Sequence, residues 1–180
     1  PRSAATEADL VEQTRMALQV RDRMSDANKG VIEIRNLKTD VTDRTAKMTA
    51  NAAFAPLAKK FADSLSAVED SVYQTKNQSG QDPLNFPIRL NNQFSSLLSF
   101  VSSGERRPPK QAYDVLTVLN PKLDLQMARM ERIIAADLPK INAMLKAAGL
   151  PEITRNKIEK GGPGAAQPVF VPDETTGFDR

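Results

Sequence analysis

The sequence predicts an all-α protein, an elongated antiparallel bundle of about four helices with a structured turn before the third helix and an irregular C-terminal tail. Apolar residues recur every three or four positions in four long segments, which indicates amphipathic helices. Proline, glycine and asparagine separate these segments. Aromatic residues make up only 5% of the chain, which suits a bundle core of aliphatic residues and methionine. We expect residues 1–151 to form the bundle domain and residues 152–180 an extended or disordered tail.

The first helix is predicted to begin after Thr6, because Thr6 is a good N-cap and Glu7 and Asp9 place acids in the first turn. Gly30 lies within the apolar pattern and costs about 1 kcal/mol relative to alanine. The pattern keeps its phase across Gly30, so we expect one long helix that ends near residues 51–56. Its predicted seam consists of Ala17, Val20, Met24, Ala27, Val31, Ile34, Val41 and Met48.

The second helix is predicted to begin near Pro56, since proline is tolerated in the first turn of a helix. Its apolar stripe consists of Leu57, Phe61, Leu65, Val68 and Val72.

A polar turn follows, in which Ser79-Gly80 and Asp82-Pro83 are strong turn signals. We expect the third helix to begin near Pro87 and to end at Ser103-Gly104. One side of that helix is predicted to carry Ile88, Asn91, Phe94, Leu98 and Val101, with Leu90 and Leu97 widening the face.

The fourth helical pattern runs from residue 110 to 148, and Gly149 and Pro151 end it. Pro121 and Pro139 lie inside it and are expected to kink or split the helix. In the tail, residues 169–171 (Val-Phe-Val) are expected to dock on the bundle as a short extended segment. The stripe of the fourth pattern consists of Ala112, Leu116, Leu119, Leu123, Met127, Met130, Ile134, Leu138, Ile141 and Leu145.

The composition excludes several kinds of chemistry. The chain has no Cys and no His, so it has no thiolate nucleophile, no disulfide and neither the commonest general base nor the commonest zinc ligand. Its 25 basic and 22 acidic residues are interleaved, which does not predict binding to nucleic acid. No apolar run approaches the roughly 20 residues of a membrane span. We therefore predict no catalytic residue, no metal and no cofactor, and no membrane insertion.

Two sets of residues remain as candidate sites. The polar turn and the start of the third helix offer cations and side-chain amides for an anion or another polar ligand. The alternative is that these side chains satisfy their own backbone, and we favour it. Carboxylates of Glu131 with Asp137, or of Asp22 with Asp26, match the residue type that glycosidases pair, but exposed helix faces explain them better. The turn candidates are Lys76, Asn77, Gln81, Asp82, Asn85 and Arg89.

The amphipathic helices also suggest protein interaction. A long apolar seam offers more surface than its own partners need to cover, which favours contacts with another protein or a homo-oligomer formed through the helical seams. The chain begins Pro1-Arg2 without a methionine, and we expect it to be part of a longer polypeptide.

Two stretches resemble a known family. They are Tyr73-Gln-Thr-Lys-Asn-Gln-Ser-Gly-Gln-Asp-Pro-Leu-Asn-Phe-Pro-Ile-Arg-Leu-Asn-Asn92 and the region from Tyr113-Asp-Val-Leu to Leu138-Pro-Lys-Ile-Asn-Ala-Met-Leu. They resemble the C-terminal helical region of bacterial sortilin-like, BNR-repeat β-propeller proteins, which are described as glycosyl-hydrolase-like. The Ser-x-Asp-x-Gly-x-Thr-Trp box of the propeller blades is absent, and the chain has no Trp.

The resemblance implies a non-catalytic helical appendage of a larger exported protein, periplasmic or secreted, with the β-propeller domain as its partner. Its role would be that of a packing, spacer or interaction module. One alternative is a fragment of a glycosyl-hydrolase-like enzyme that contributes residues to a propeller ligand site. A second alternative is a self-associating coiled-coil scaffold.

Overall fold

The structure is a computed structural model that describes residues 4–76 and 84–155. This part of the chain forms four helices and no strand, so the all-α prediction is confirmed. The helices are α1 (Glu7–Thr45), α2 (Phe54–Val72), α3 (Leu90–Ser102) and α4 (Lys110–Ala147).

The two long helices, α1 and α4, run parallel to each other. Tyr113 at the beginning of α4 donates its hydroxyl hydrogen to Glu12 of α1. Further along both helices, Arg23 of α1 contacts Asn120 of α4. Because the contacting positions rise together in both helices, α1 and α4 point the same way.

The two short helices run antiparallel to this pair and follow one another along it. Near the start of α1, Gln13 donates to the carbonyl of Val101 at the end of α3. Further along α1, Asn28 contacts Asn91 at the beginning of α3. α2 lies beside the later part of α1, where Glu69 meets Arg35. The bundle is therefore three helices wide, with α2 and α3 in series as its third member.

This arrangement divides the molecule into two halves. We define the α2 half as α2 with residues 31–45, 127–147 and 151–155, and the α3 half as α3 with residues 7–30 and 110–126. One continuous core runs through both halves. Its largest fully buried side chains include Phe54 and Phe61 of α2 and Phe94 of α3.

The predicted stripe of α4 is correct, since every member is buried except Met127, which is partly buried against the core. On α1, Met16 and Leu37 are buried although the predicted seam omits them. The reason is that α1 contacts α2, α3 and α4, so it buries a wider face than one seam. Met48 is buried as predicted, but it lies beyond the end of α1.

The third helix begins later than predicted. It starts at Leu90 and not near Pro87. The side chain of Asn92 accepts the backbone N–H of Arg89 at this end. Ile88 was predicted on the buried side, but it lies outside the helix and is 52% exposed.

Local capping explains where α1 begins and α4 ends. The Thr6 and Asp9 side chains bond each other's backbone N–H groups in a capping box. The Thr6 hydroxyl and the Thr6 backbone N–H both donate to the Asp9 carboxylate, which lowers the pKa of Asp9. At the end of α4, Gly149 has φ +71°. The N–H of Leu150 donates to the carbonyl of Leu145, and that of Gly149 to Lys146, which is a Schellman motif.

The two prolines of α4 do not split it, since the helix is continuous from Lys110 to Ala147. Pro121 and Pro139 are both exposed. Each proline leaves the carbonyl four residues earlier without its helical donor, and those residues, Thr117 and Ala135, are exposed too. Water can therefore hydrate these carbonyls, which lowers the cost of keeping one helix.

Gly30 lies where α1 packs against Met127 of α4. A Cβ atom at this position would lie 2.8 Å from the Sδ atom of Met127. The glycine therefore makes room for a methionine of the neighbouring helix, which explains why it interrupts the apolar pattern without ending α1.

Candidate functional site

The polar turn before α3 is held by its own side chains where the structure describes it. Gln74 is buried, and its Nε2 donates to the carbonyl of Pro87 at 2.7 Å, across the turn. Its Oε1 accepts the backbone N–H of Lys76. These contacts support the alternative in which the amides satisfy backbone groups. No sequence pattern distinguished Gln74 from its neighbouring amides.

Three of the six predicted turn candidates lie in the described part. The Nζ of Lys76 lies 5.7 Å from the ring centroid of Phe86, and Asn85 is exposed. The Nε of Arg89 is buried and has no hydrogen-bond partner. Lys76 and Arg89 thus have separate surroundings, and ligand binding by the turn stays a prediction. The other candidates, Asn77, Gln81 and Asp82, lie outside the described residues, as does the predicted docking of residues 169–171.

The carboxylates considered as catalytic pairs are each bound to a cation. Asp22 pairs with Arg21, and Asp26 with Arg23. Asp137 lies between Lys60 and Lys140.

Glu131 is bound by Arg155. Because Glu131 and Asp137 are six residues apart on α4, their side chains point about 120° apart around the helix. The structure therefore does not bring these two carboxylates to one site.

Across residues 4–76 and 84–155, no three acidic residues are grouped so that they could hold a metal ion. Within the same ranges, no helix is long and apolar enough to cross a membrane.

A segment that the sequence analysis placed in the tail packs against the α2 half. Ile153 is buried, and its backbone N–H and carbonyl both bond the side-chain amide of Asn142. Arg155 then places its Nε 2.6 Å from Glu33 of α1 and its two Nη atoms 2.6 and 2.7 Å from Glu131 of α4. These bonds raise the pKa of Arg155. We call residues 151–155 the C-terminal strap.

An open groove of about 520 Å³ lies between the strap and α4. Its floor is formed by apolar residues such as Leu138 and Pro139. The guanidinium of Arg155, at its edge, is already bound to two carboxylates. The groove thus offers apolar surface and no free cation of its own.

A second surface lies on α4, on the side away from α1. Its six residues are spaced alternately three and four apart, so they share one face of the helix within an arc of about 100°. Three are apolar side chains exposed to solvent, and three are exposed bases. We call this surface the α4 outer face: Val115, Val118, Lys122, Leu125, Arg129 and Arg132.

The opposite flank of α4 meets α1 and has its charges balanced. Asp124 pairs with Arg23 of α1, and Glu131 with Arg155 of the strap. On the outer face, by contrast, Lys122, Arg129 and Arg132 form no salt bridge with any residue of the described ranges. The three-and-four spacing of this face is visible in the sequence, but bases fill half of its positions, so it was not predicted as an apolar stripe.

Exposed large apolar side chains are unevenly distributed. Among the described residues they occur in the α3 half and in the turn between α2 and α3, and none lies in the α2 half. Those of the α3 half are Leu10, Val11, Leu18, Phe100, Val115, Val118 and Leu125, and those of the turn are Tyr73, Leu84 and Ile88.

Comparison with protein-family models, with curated proteins and with solved structures found no match to this chain.

Proposed function

We propose that this chain is a non-catalytic helical module that packs against another protein surface through its α3 half. The observation that carries the proposal is the confinement of exposed large apolar side chains to the α3 half and the adjoining turn. Within this half, Val115, Val118 and Leu125 lie on one side of α4. Contiguous exposed apolar surface of this kind is typical of a protein interaction site. Val118 and Leu125 are 53% and 59% exposed, so they are free to enter an interface without any rearrangement of the core.

The α2 half supports this function as a rigid base. Its buried carboxylates are bound to cations from neighbouring elements: Glu69 to Arg35 and Lys38, and Glu33 to Arg155. Such contacts hold α1, α2, α4 and the strap in fixed positions. A module of this kind presents its docking region at one end of a long, stiff bundle.

The resemblance of residues 73–92 and 113–145 supplies the wider setting of the proposal. In that setting the chain is a packing, spacer or interaction module of a larger exported protein, and a β-propeller domain is the surface that it contacts. The rival setting is a self-associating scaffold in which the same apolar region joins copies of this chain.

Two measurements on the polypeptide from its native source test the proposal. The first is its intact mass, for which we expect a value well above the 19.7 kDa of this chain. The second is hydrogen exchange and covalent labelling, in which we expect the exposed apolar side chains of the α3 half to be protected relative to the isolated chain. Exposed residues of the α2 half, such as Lys59, serve as the control and should be labelled equally in both.

If the α3 half is labelled to the same extent in the native polypeptide and in the isolated chain, the docking proposal is wrong. If the isolated chain alone acquires protection with rising concentration, the self-associating scaffold replaces it.

A further inference from the structure

From the α4 outer face we infer the chemistry of the partner: an acidic amphipathic helix of another protein segment that lies along α4 and places carboxylates beside Lys122, Arg129 and Arg132. This inference rests on the proposed function and adds to it the docking face and the partner's charge and secondary structure.

The spacing of the face indicates a helix as the partner. Its positions 115, 118, 122, 125, 129 and 132 follow steps of three and four, which is the repeat of a helix-packing seam. They extend over 18 residues, or roughly 25 Å at 1.5 Å per residue. A second helix fits such a seam at an axis separation of about 8–10 Å.

The apolar members of the face define where the partner must be apolar. Val115, Val118 and Leu125 are 44%, 53% and 59% exposed, and they occupy the first part of the seam. Apolar side chains of a partner helix at matching positions would cover them.

The charges of the face define the partner's sign. Lys122, Arg129 and Arg132 have no carboxylate partner in the described part of the chain, and α3 contains no acidic residue. Asp114, which precedes the face on α4, is bound to Lys110. Elsewhere on α4, Asp124 and Asp137 meet bases of neighbouring helices. The three bases of the outer face have no such carboxylate among the described residues, and the partner supplies it.

An acidic helix explains the face better than an anionic membrane. A membrane-surface helix carries bulky apolar residues such as Trp or Phe on one side and bases at its borders. Here the bases alternate with valine and leucine along the same line of the helix, so the face has no continuous apolar side that could enter a membrane surface.

The test uses two synthetic peptides of three heptads each, with leucine at positions a and d. One has glutamate at positions e and g, and the other has lysine there. Binding to the full chain is measured by fluorescence anisotropy at low and high salt. We expect the acidic peptide to bind at least tenfold more tightly than the basic peptide, and high salt to weaken its binding several-fold.

Variants of the full chain locate the site. The triple variant Lys122→Glu, Arg129→Glu and Arg132→Glu should weaken binding of the acidic peptide at least tenfold. The matched control, Lys29→Glu, Lys47→Glu and Lys146→Glu, changes the net charge equally at positions outside the face and should alter binding less than twofold. None of the six residues is buried, although Lys29 is partly covered. Circular dichroism verifies that both variants remain folded.

The inference is overturned if the acidic peptide does not bind, if both peptides bind equally, or if the control variant loses as much affinity as the triple variant. It is also overturned if Asp173→Lys with Glu174→Lys tightens peptide binding tenfold, because the chain's own C-terminal sequence is then the occupant. If the α3 half is protected in the native polypeptide but the acidic peptide does not bind, the proposed function stands. Only the inferred charge and secondary structure of the partner are then wrong.

Discussion

The two halves of the bundle use charged and apolar residues in opposite ways. In the α2 half, the carboxylates of Glu33, Glu69 and Asp137 are buried, and each is bound to at least one cation. The α3 half has no buried carboxylate among its described residues, but it exposes large apolar side chains such as Phe100 and Leu125. The α2 half therefore exposes no large apolar side chain among its described residues and binds its buried carboxylates to cations. The α3 half, by contrast, leaves large apolar side chains available to another molecule.

The contacts that join the helices differ in the same way. The α2 half is held by salt bridges in which the carboxylate is buried and the cation stays partly exposed. Removing the cation leaves a buried charge without a partner, which is costly. In the α3 half, several helix contacts use neutral groups: Gln13 donates to the carbonyls of Val101 and Gly104, and Asn28 contacts Asn91. We expect the α3 half to be the less stable part, since α3 is also the shortest helix.

The largest expected effects come from one buried phenylalanine in each half. Phe61 of α2 and Phe94 of α3 are both fully buried, so Phe61→Ala and Phe94→Ala should each lower the free energy of unfolding by about 3–5 kcal/mol. Urea unfolding monitored by circular dichroism measures both values, and hydrogen exchange reports where protection is lost.

The pattern of lost protection decides whether the two halves are coupled. If both variants lower protection in all four helices, the bundle unfolds as one cooperative unit. If Phe94→Ala lowers it only in the α3 half, the halves unfold separately. A nearly neutral Phe94→Ala would contradict the placement of α3 on the core.

The next effect concerns the strap of the α2 half. Arg155→Ala leaves Glu33, which is only 8% exposed, without its cation. We expect a loss of about 1–3 kcal/mol in the free energy of unfolding, because a buried charge without a partner is costly and Arg155 itself is partly exposed. The control is Arg15→Ala, which breaks an exposed pair with Glu12 and should cost at most about 0.5 kcal/mol.

A second substitution, at the buried acid Glu33, tests why Arg155→Ala lowers the free energy of unfolding. If the strap acts by neutralising Glu33, the double variant Glu33→Gln with Arg155→Ala should be more stable than Arg155→Ala alone. Equal stability of Arg155→Ala and the wild type, measured by urea unfolding, would mean that the strap does not stabilise the α2 half.

These differences also explain what the sequence could predict. The stripe of α4 was predicted almost completely because its periodicity is long and regular. Periodicity identifies the buried face of a helix but not its neighbour, so the serial arrangement of α2 and α3 was not foreseen. The strap was missed because a short extended segment has no period, and its placement depends on contacts of Ile153 and Arg155 with distant residues.

The start of α3 was misplaced for a related reason. Pro87 is a good first residue of a helix, but the helix begins at Leu90. The side chain of Asn92 fixes this end by accepting the N–H of Arg89, while Gln74 holds Pro87 outside the helix. The contact between Gln74 and Pro87 spans 13 residues, and no local sequence pattern predicts it.

The smallest effect concerns the hydrogen bond that joins α1 to α4 in the α3 half. Tyr113 donates to Glu12 at 2.7 Å, and this bond raises the pKa of the Tyr113 phenol above its ordinary value of 10.0. Because the folded state holds this proton more tightly than the unfolded state, the bond contributes stability below pH 10.0, and that contribution disappears as the pH rises through the folded-state pKa. The ion pairs of Arg155 are not affected in this range, since the guanidinium stays charged. Raising the pH through the folded-state pKa of Tyr113 should therefore weaken the contact between α1 and α4 in the α3 half.

Ultraviolet absorbance titration of the Tyr73→Phe variant measures this pKa directly, because Tyr113 is then the one remaining tyrosine. Adding Glu12→Gln should lower the pKa towards 10.0, since the phenolate no longer forms beside a carboxylate. An unchanged pKa in that double variant would mean that Glu12 does not hold the phenol. Any pH dependence of the contact between α1 and α4 would then need another group.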